Sequence, residues 1–149
     1  MKLFDVSLAN VWPATQSQLY GELGKLADSG LITVTAEGPR GRKEYAITEE
    51  GTAELRHWMT EVPPLHAARS DLLLRVFFLG QLSPGEARDY LREQGAVATS
   101  RHEALEGIRA AVEEGDDNLS VYGRIVLEWG LRFTTTQREW AEWAEQQIR

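Results

Sequence analysis

Apolar positions along the chain change period twice, and the changes mark out its elements. Leu19, Leu23 and Leu26 recur at i, i+4 and i+7, which predicts a helix with one buried face. Pro13 stops any helix entering from upstream. Thr15 followed by Gln18 fits a capping box, and Gly30 sits where a left-handed C-terminal glycine belongs. From Leu31 the period falls to two. Leu31–Val34 and Glu44–Ile47 read as strands, with Tyr45 and Ile47 on one face. Gly38, Pro39 and Gly41 make the turn between them. Thr48 is the expected N-cap of a second helix, whose buried face is Leu55, Trp58 or Met59, and Val62. Pro63 and Pro64 end it, which places a domain boundary after residue 62 and a short linker over residues 63–69.

Beyond the boundary the pattern is helical. Leu72, Leu73, Val76, Phe77 and Leu79 predict a short apolar helix ending at Gly80. Ser83 and Glu86 form a second capping box, with Pro84 at the first helical position. The helix they start is expected to be long. Ala87, Leu91, Gln94, Ala98, Arg101, Leu105, Ile108 and Val112 alternate at spacings of four and three, a seam interrupted by Gln94 and Arg101. Residues 115–118 are the turn. In the last helix Tyr122, Val126, Trp129, Phe133, Thr136, Trp140 and Trp143 share one stripe. Two long helices joined by a short turn must run antiparallel, and such a hairpin is expected to pack against a second copy of itself. Trp129, Phe133 and Trp140 admit two readings: the wall of a pocket for a flat apolar ligand, or a dimer seam. Both hold if the pocket lies between subunits.

The face of the first helix opposite its leucines carries Ser17, Gly21, Gly24 and Asp28, flanked by Gln18 and Lys25. Interior glycines cost about 1 kcal/mol each relative to alanine. They let something approach the backbone closely, either another helix or the major groove of a duplex. Arg40, Arg42 and Lys43 put three positive charges at the tip of the strand pair, where such a ribbon can follow a phosphate backbone.

Charge qualifies this picture. The 149 residues carry a formal charge of -7, which argues against unspecific attachment of the whole surface to nucleic acid. Residues 1–60 hold six Lys/Arg and eight Asp/Glu, so the basic signal is confined to the turn plus Lys25 and Lys2. Cysteine is absent, which removes disulfides and thiolate metal sites. His57, His66 and His102 have no paired ligand spacing, so no metal or cofactor is expected. The paired carboxylates sit at helix ends and turns, and no phosphate loop or nucleophile motif occurs, so no catalytic residue is expected. No uncharged apolar run is long enough for a membrane span, and the first ten residues lack a signal peptide's apolar core, which leads us to expect a cytoplasmic protein.

Helix, strand, basic turn, strand, helix is the order of a winged helix-turn-helix. Trp12-Pro13-Ala14, Gln18-Leu19-Tyr20, Leu23, Leu26, Gly30-Leu31 and the segment from Arg42 to Gly51 together resemble the DNA-binding half of the PadR-like transcriptional regulators. The helical remainder is similar to the subgroup with a large C-terminal helical domain. The resemblance implies a mainly α fold: a winged helix-turn-helix with a small two-stranded wing over residues 1–62 and an α-helical dimerisation domain over 63–149. It implies a homodimeric repressor that binds double-stranded DNA and responds to a small molecule or a stress signal; the Trp129, Phe133 and Trp140 stripe suits a small aromatic or apolar effector. In that frame Thr15, Gln16, Ser17, Gln18, Tyr20 and Lys25 face the major groove, with Tyr20 nearer the buried side. Arg40, Arg42 and Lys43 meet phosphate or the adjoining minor groove. Phe4, Leu8 and Val11 place a helix tail over residues 3–11, but the apolar helix that usually precedes it is absent, so the first domain reads as N-terminally incomplete. Two other classes fit the acidic balance: a protein-interaction module, and a ligand-binding sensor without DNA. The DNA reading requires that the small-residue face stay outside the protein interior and that the basic tip not fold onto acidic neighbours.

Overall fold

The computed structural model describes the backbone of residues 14–64, 69–113 and 118–149, and the side chains of these except Arg40, Asn118 and Leu119. The expected helix over 3–11, part of the 63–69 linker and most of the 115–118 turn lie outside them. The chain divides into two units, one ending at residue 68 and the other running from Arg69 onward.

The first unit begins with α1, Gln16–Asp28, and the capping box is formed as read. The Thr15 hydroxyl accepts the Gln18 N–H at 3.3 Å, while the Gln18 side-chain oxygen accepts the Thr15 N–H at 2.9 Å. At the other end the Gly30 N–H bonds to Ala27 O and the Leu31 N–H to Leu26 O, a Schellman pair that needs the φ of +72° at Gly30. Strands β1, Ile32–Glu37, and β2, Lys43–Ile47, pair antiparallel with Ile32 opposite Ile47 and Glu37 opposite Lys43. Both extend further toward the tip than the period-two runs, because Thr35 bulges and lets the ladder continue. Helix α2, Glu49–Glu61, starts at Thr48, whose hydroxyl accepts the Gly51 N–H at 3.0 Å. The same hydroxyl reaches Gly30 O at 2.8 Å, tying the end of α1 to the start of α2.

Two expectations of burial fail in this unit. Leu19 and Leu23 are half-buried and Leu26 is exposed. Leu55, Trp58, Met59 and Val62 are all exposed, Trp58 at 61%. Only Gly51 is buried in α2. The apolar stripe of α2 exists but, among the described residues of this unit, is left exposed.

The second unit starts with α3, Asp71–Phe77, and a turn of 3-10 helix at Leu79–Gln81. Leu79 is buried, whereas Leu73, Leu74, Phe77 and Phe78 are exposed. Helix α4, Pro84–Gly107, carries the second capping box, with Ser83 and Glu86 bonded in both directions. The Ser83 bonds hold the Glu86 carboxyl below the usual carboxylate range. Their contribution is present above the ordinary carboxylate pKa and is lost as pH falls through the lowered value. Ser83→Ala should cost about 1 kcal/mol of stability in thermal unfolding. The long helix expected to reach Val112 is instead broken at Ile108, and a separate helix, α5, spans Arg109–Glu113. Helix α6 covers Asn118–Gln147, 30 residues, or about 45 Å.

Contacts between α4 and α6 run in opposite order along the two helices. Arg88 meets Ile148, Arg92 meets Glu145, Gly95 meets Ala141, and His102 meets Thr134. They are therefore antiparallel, as expected. The core is built from Leu79, Ala87, Leu91 and Ala144, with Val76, Tyr90, Trp140 and Ile148 packed on it. Further along, Ala98, Leu127, Leu131, Thr134 and Ala141 are buried. On α4 the seam departs from the expected one at one position. Arg101 is exposed and His102 takes its place, its Nδ1 hydrogen-bonded with Thr134 Oγ1 at 2.9 Å. On α6 the buried stripe is small and aliphatic, while Tyr122, Val126, Trp129, Phe133 and Trp143 stand exposed.

Candidate nucleic-acid interface

The residues expected to meet DNA all belong to the first unit, and α1 carries most of them. Its first turn lies at the positive end of the helix dipole, a setting suited to a phosphate. Thr15, Gln16, Ser17 and Gln18 are exposed there. The capping box also limits Gln18. Its side-chain oxygen already accepts the Thr15 N–H and lies 3.0 Å from the Thr15 hydroxyl. Bidentate pairing with adenine needs that oxygen, so Gln18 can donate to DNA but cannot read adenine without opening the cap.

One turn further on, Gly21 and Gly24 present their backbone. A Cβ added at either would meet nothing within 4 Å outside the local helix. The small-residue face is thus clear of the other described residues. Tyr20 was expected nearer the buried side and is 54% exposed instead. It occupies the same solvent-facing half as Ser17, because the leucine stripe it borders is itself only partly covered.

The wing is built by backbone geometry. The Gly38 N–H donates to Arg42 O at 2.6 Å, and a single 3-10 turn at Pro39–Gly41 closes the loop. Gly41 has φ of +76°, so a side chain there would be strained. Arg42 and Lys43 follow directly, on the rim.

The charges on this surface are not isolated. The Lys25 ammonium lies 2.7 Å from the Glu22 carboxylate, Arg42 3.1 Å from Glu44, and Lys43 3.7 Å from Glu37. The requirement that the tip avoid acidic neighbours is therefore not met for Arg42 and Lys43. These pairs are exposed, and an exposed pair contributes about 0–1 kcal/mol, so a phosphate can displace the carboxylate. The register made Lys43–Glu37 legible, since the two sit directly opposite across the ladder.

In the second unit Trp129 and Phe133 stack with centroids 5.0 Å apart and planes 10° from parallel. Trp140 does not join them in a pocket: it packs against the Leu79–Leu91 core. Two grooves open between α4 and α6. One is lined by Leu91, Gly95, Arg138 and Ala141, the other by His102, Arg109, Arg132 and Thr136, and neither includes the stacked pair. Among the described residues no group of His, Asp or Glu could hold a metal ion, and no helix is long and apolar enough to cross a membrane.

Comparison with known proteins places both units. Residues 1–57 match the family model described as the transcriptional regulator PadR-like family, and residues 68–149 match the virulence activator alpha C-terminal model. The chain is 32% identical over 108 residues to the negative transcriptional regulator PadR of Bacillus subtilis, an alignment covering 70% of this chain and 59% of that protein. A crystal structure of Bacillus subtilis PadR in complex with operator DNA superposes with a TM-score of 0.82 at 27% identity, covering 99% of this chain and 87% of that one. The same protein in complex with p-coumaric acid gives a TM-score of 0.82 at 26% identity, covering 99% and 86%.

Proposed function

Because the chain belongs to the PadR-like family of transcriptional regulators, we propose that it is a homodimeric, sequence-specific DNA-binding repressor of the cytoplasm, without enzymatic activity, whose affinity for DNA responds to a small aromatic effector. In this reading residues 1–62 meet the duplex and residues 63–149 pair the subunits. Thr15, Gln16, Ser17, Gln18, Tyr20 and Lys25 face the major groove. Arg40, Arg42 and Lys43 contact phosphate.

The observation that carries the reading is the open backbone of α1 at Gly21 and Gly24, on the same unit as a basic, glycine-closed hairpin. A helix that gave up side-chain volume to pack against its own protein would have a neighbour there. A helix that lies in a groove would not. The two-faced α6 supports the dimer. One face packs on α4, and the other leaves Trp129, Phe133 and Trp143 exposed, an area of aromatic surface that a lone chain leaves in water. The stacked Trp129–Phe133 pair is then shared between seam and effector, and the Bacillus subtilis relative bound to p-coumaric acid supports an aromatic class of ligand.

Gel-shift titration with genomic fragments should give a discrete, competitor-resistant complex at nanomolar concentrations. Binding equal on all fragments contradicts sequence specificity. Trp129→Ala should weaken the dimer by about 2 kcal/mol, the scale of a central aromatic anchor, as read by sedimentation equilibrium. A variant dimerising as tightly as the parent removes α6 from the interface.

A further inference from the structure

Each cation of the proposed DNA surface whose side chain is described has a carboxylate of the same unit against it. Glu22 lies one helical turn before Lys25, Glu44 two residues after Arg42 on β2, and Glu37 across the ladder from Lys43. All three carboxylates are more than half exposed, so none is held in place by burial. No carboxylate is needed at these positions for folding: the hairpin is closed by backbone bonds, and α1 is closed by its two caps. Resting on the DNA-binding reading above, we propose that Glu22, Glu37 and Glu44 are intramolecular competitors of the DNA phosphates, setting the affinity of the surface for duplex of any sequence.

The physics is an exchange. In the free protein each ammonium or guanidinium is paired. A phosphate that takes the cation must first separate that pair, and the released carboxylate then stands within a few ångströms of the phosphate, well inside the screening length of about 8 Å at physiological salt. Both effects oppose binding. Each is sequence-independent, because phosphate contacts are the same on any duplex. A surface of this kind binds weakly everywhere. It leaves discrimination to the base edges met by the α1 face.

The test is a set of anisotropy titrations with two fluorescent duplexes of about 30 base pairs. One is of mixed sequence and the other is the tightest duplex that the parent chain recovers from a randomised library. The triple variant E22Q/E37Q/E44Q should bind both about ten-fold tighter at low salt, since an exposed pair of about 0.2–1 kcal/mol converts to roughly a 1.4- to five-fold effect at each position. The preference between the two duplexes should stay the same. A control variant, E93Q/E103Q/E139Q, makes the same change in net charge on the helical unit and should shift both affinities by less than two-fold. The proposal is overturned if the first triple variant binds no tighter, if the control tightens equally, or if only the selected duplex gains. Failure of the DNA-binding reading looks different: the parent chain recovers no preferred duplex, and R42A/K43A binds as the parent does.

Discussion

Replacing Arg40, Arg42 and Lys43 together with alanine should lower affinity for every duplex by on the order of 100-fold near physiological salt. The expectation follows from counterion release. Each phosphate neutralised by a cation contributes about -0.9 to the slope of log affinity against log salt. Removing three contacts per subunit should flatten that slope by about 2.7 for each subunit engaged. The loss should be the same for preferred and unrelated sequences, because the wing meets phosphate and not base edges. Arg42 and Lys43 enter this estimate with a discount, since each gives up an intramolecular partner on binding. The measurement is a salt series from about 50 to 300 mM on parent and variant. An unchanged slope with reduced affinity would assign the wing to base reading, and no change in either would remove it from the interface.

That prediction leans on residues that were visible in the sequence, and the reasons they were visible are local. A capping box is written in two residues three apart, so Thr15–Gln18 and Ser83–Glu86 formed as read. Gly30 and Gly41 mark left-handed backbone, which few residues tolerate. The wing charges cluster within four positions. What periodicity misread were the places where packing is decided between elements. On α6 the most apolar stripe is aromatic, and periodicity alone does not say whether it faces α4 or a second copy. The hairpin partner instead takes the stripe of Leu127, Leu131, Thr134, Ala141 and Ala144. Small residues there allow close approach: an added Cβ at Gly130 would come within 3.0 Å of Leu105, and one at Gly95 within 3.5 Å of Ala141. Large residues fit the outer face, away from α4. The break at Ile108 was hidden for a related reason. Apolar spacing continues across it to Val112, and only the low helix propensity of Gly107 marks the place. The Lys43–Glu37 pair needed register, which the hairpin supplies only once its turn is fixed.

Gly51 is the residue whose replacement should damage the winged unit most. In the sequence it closes the Arg42–Gly51 segment and falls in the first turn of α2, where exchange for alanine ordinarily stabilises a helix by up to about 1 kcal/mol. Here an added Cβ would lie 1.9 Å from the Leu31 carbonyl oxygen and 2.9 Å from Ile47 Cγ1. The oxygen cannot simply retreat, because it accepts both the Thr48 N–H and the Thr48 hydroxyl at 3.1 Å. Relieving the clash means moving α2 away from the strand pair, which opens the Thr48 cap and loosens the join between α1, β1 and α2. Overpacking costs about 1–3 kcal/mol and the lost cap about 1 more. Gly51→Ala should therefore destabilise the unit by about 2–4 kcal/mol, a large part of the 5–15 kcal/mol that holds a typical domain together. Gly24→Ala, at an open helical position, should instead stabilise the fold by up to about 1 kcal/mol while impairing approach to DNA. Thermal unfolding separates the two substitutions by sign. Equal melting temperatures for G51A and the parent would mean that α2 shifts freely against β1, and the placement of the wing relative to α1 would then not be fixed by this junction.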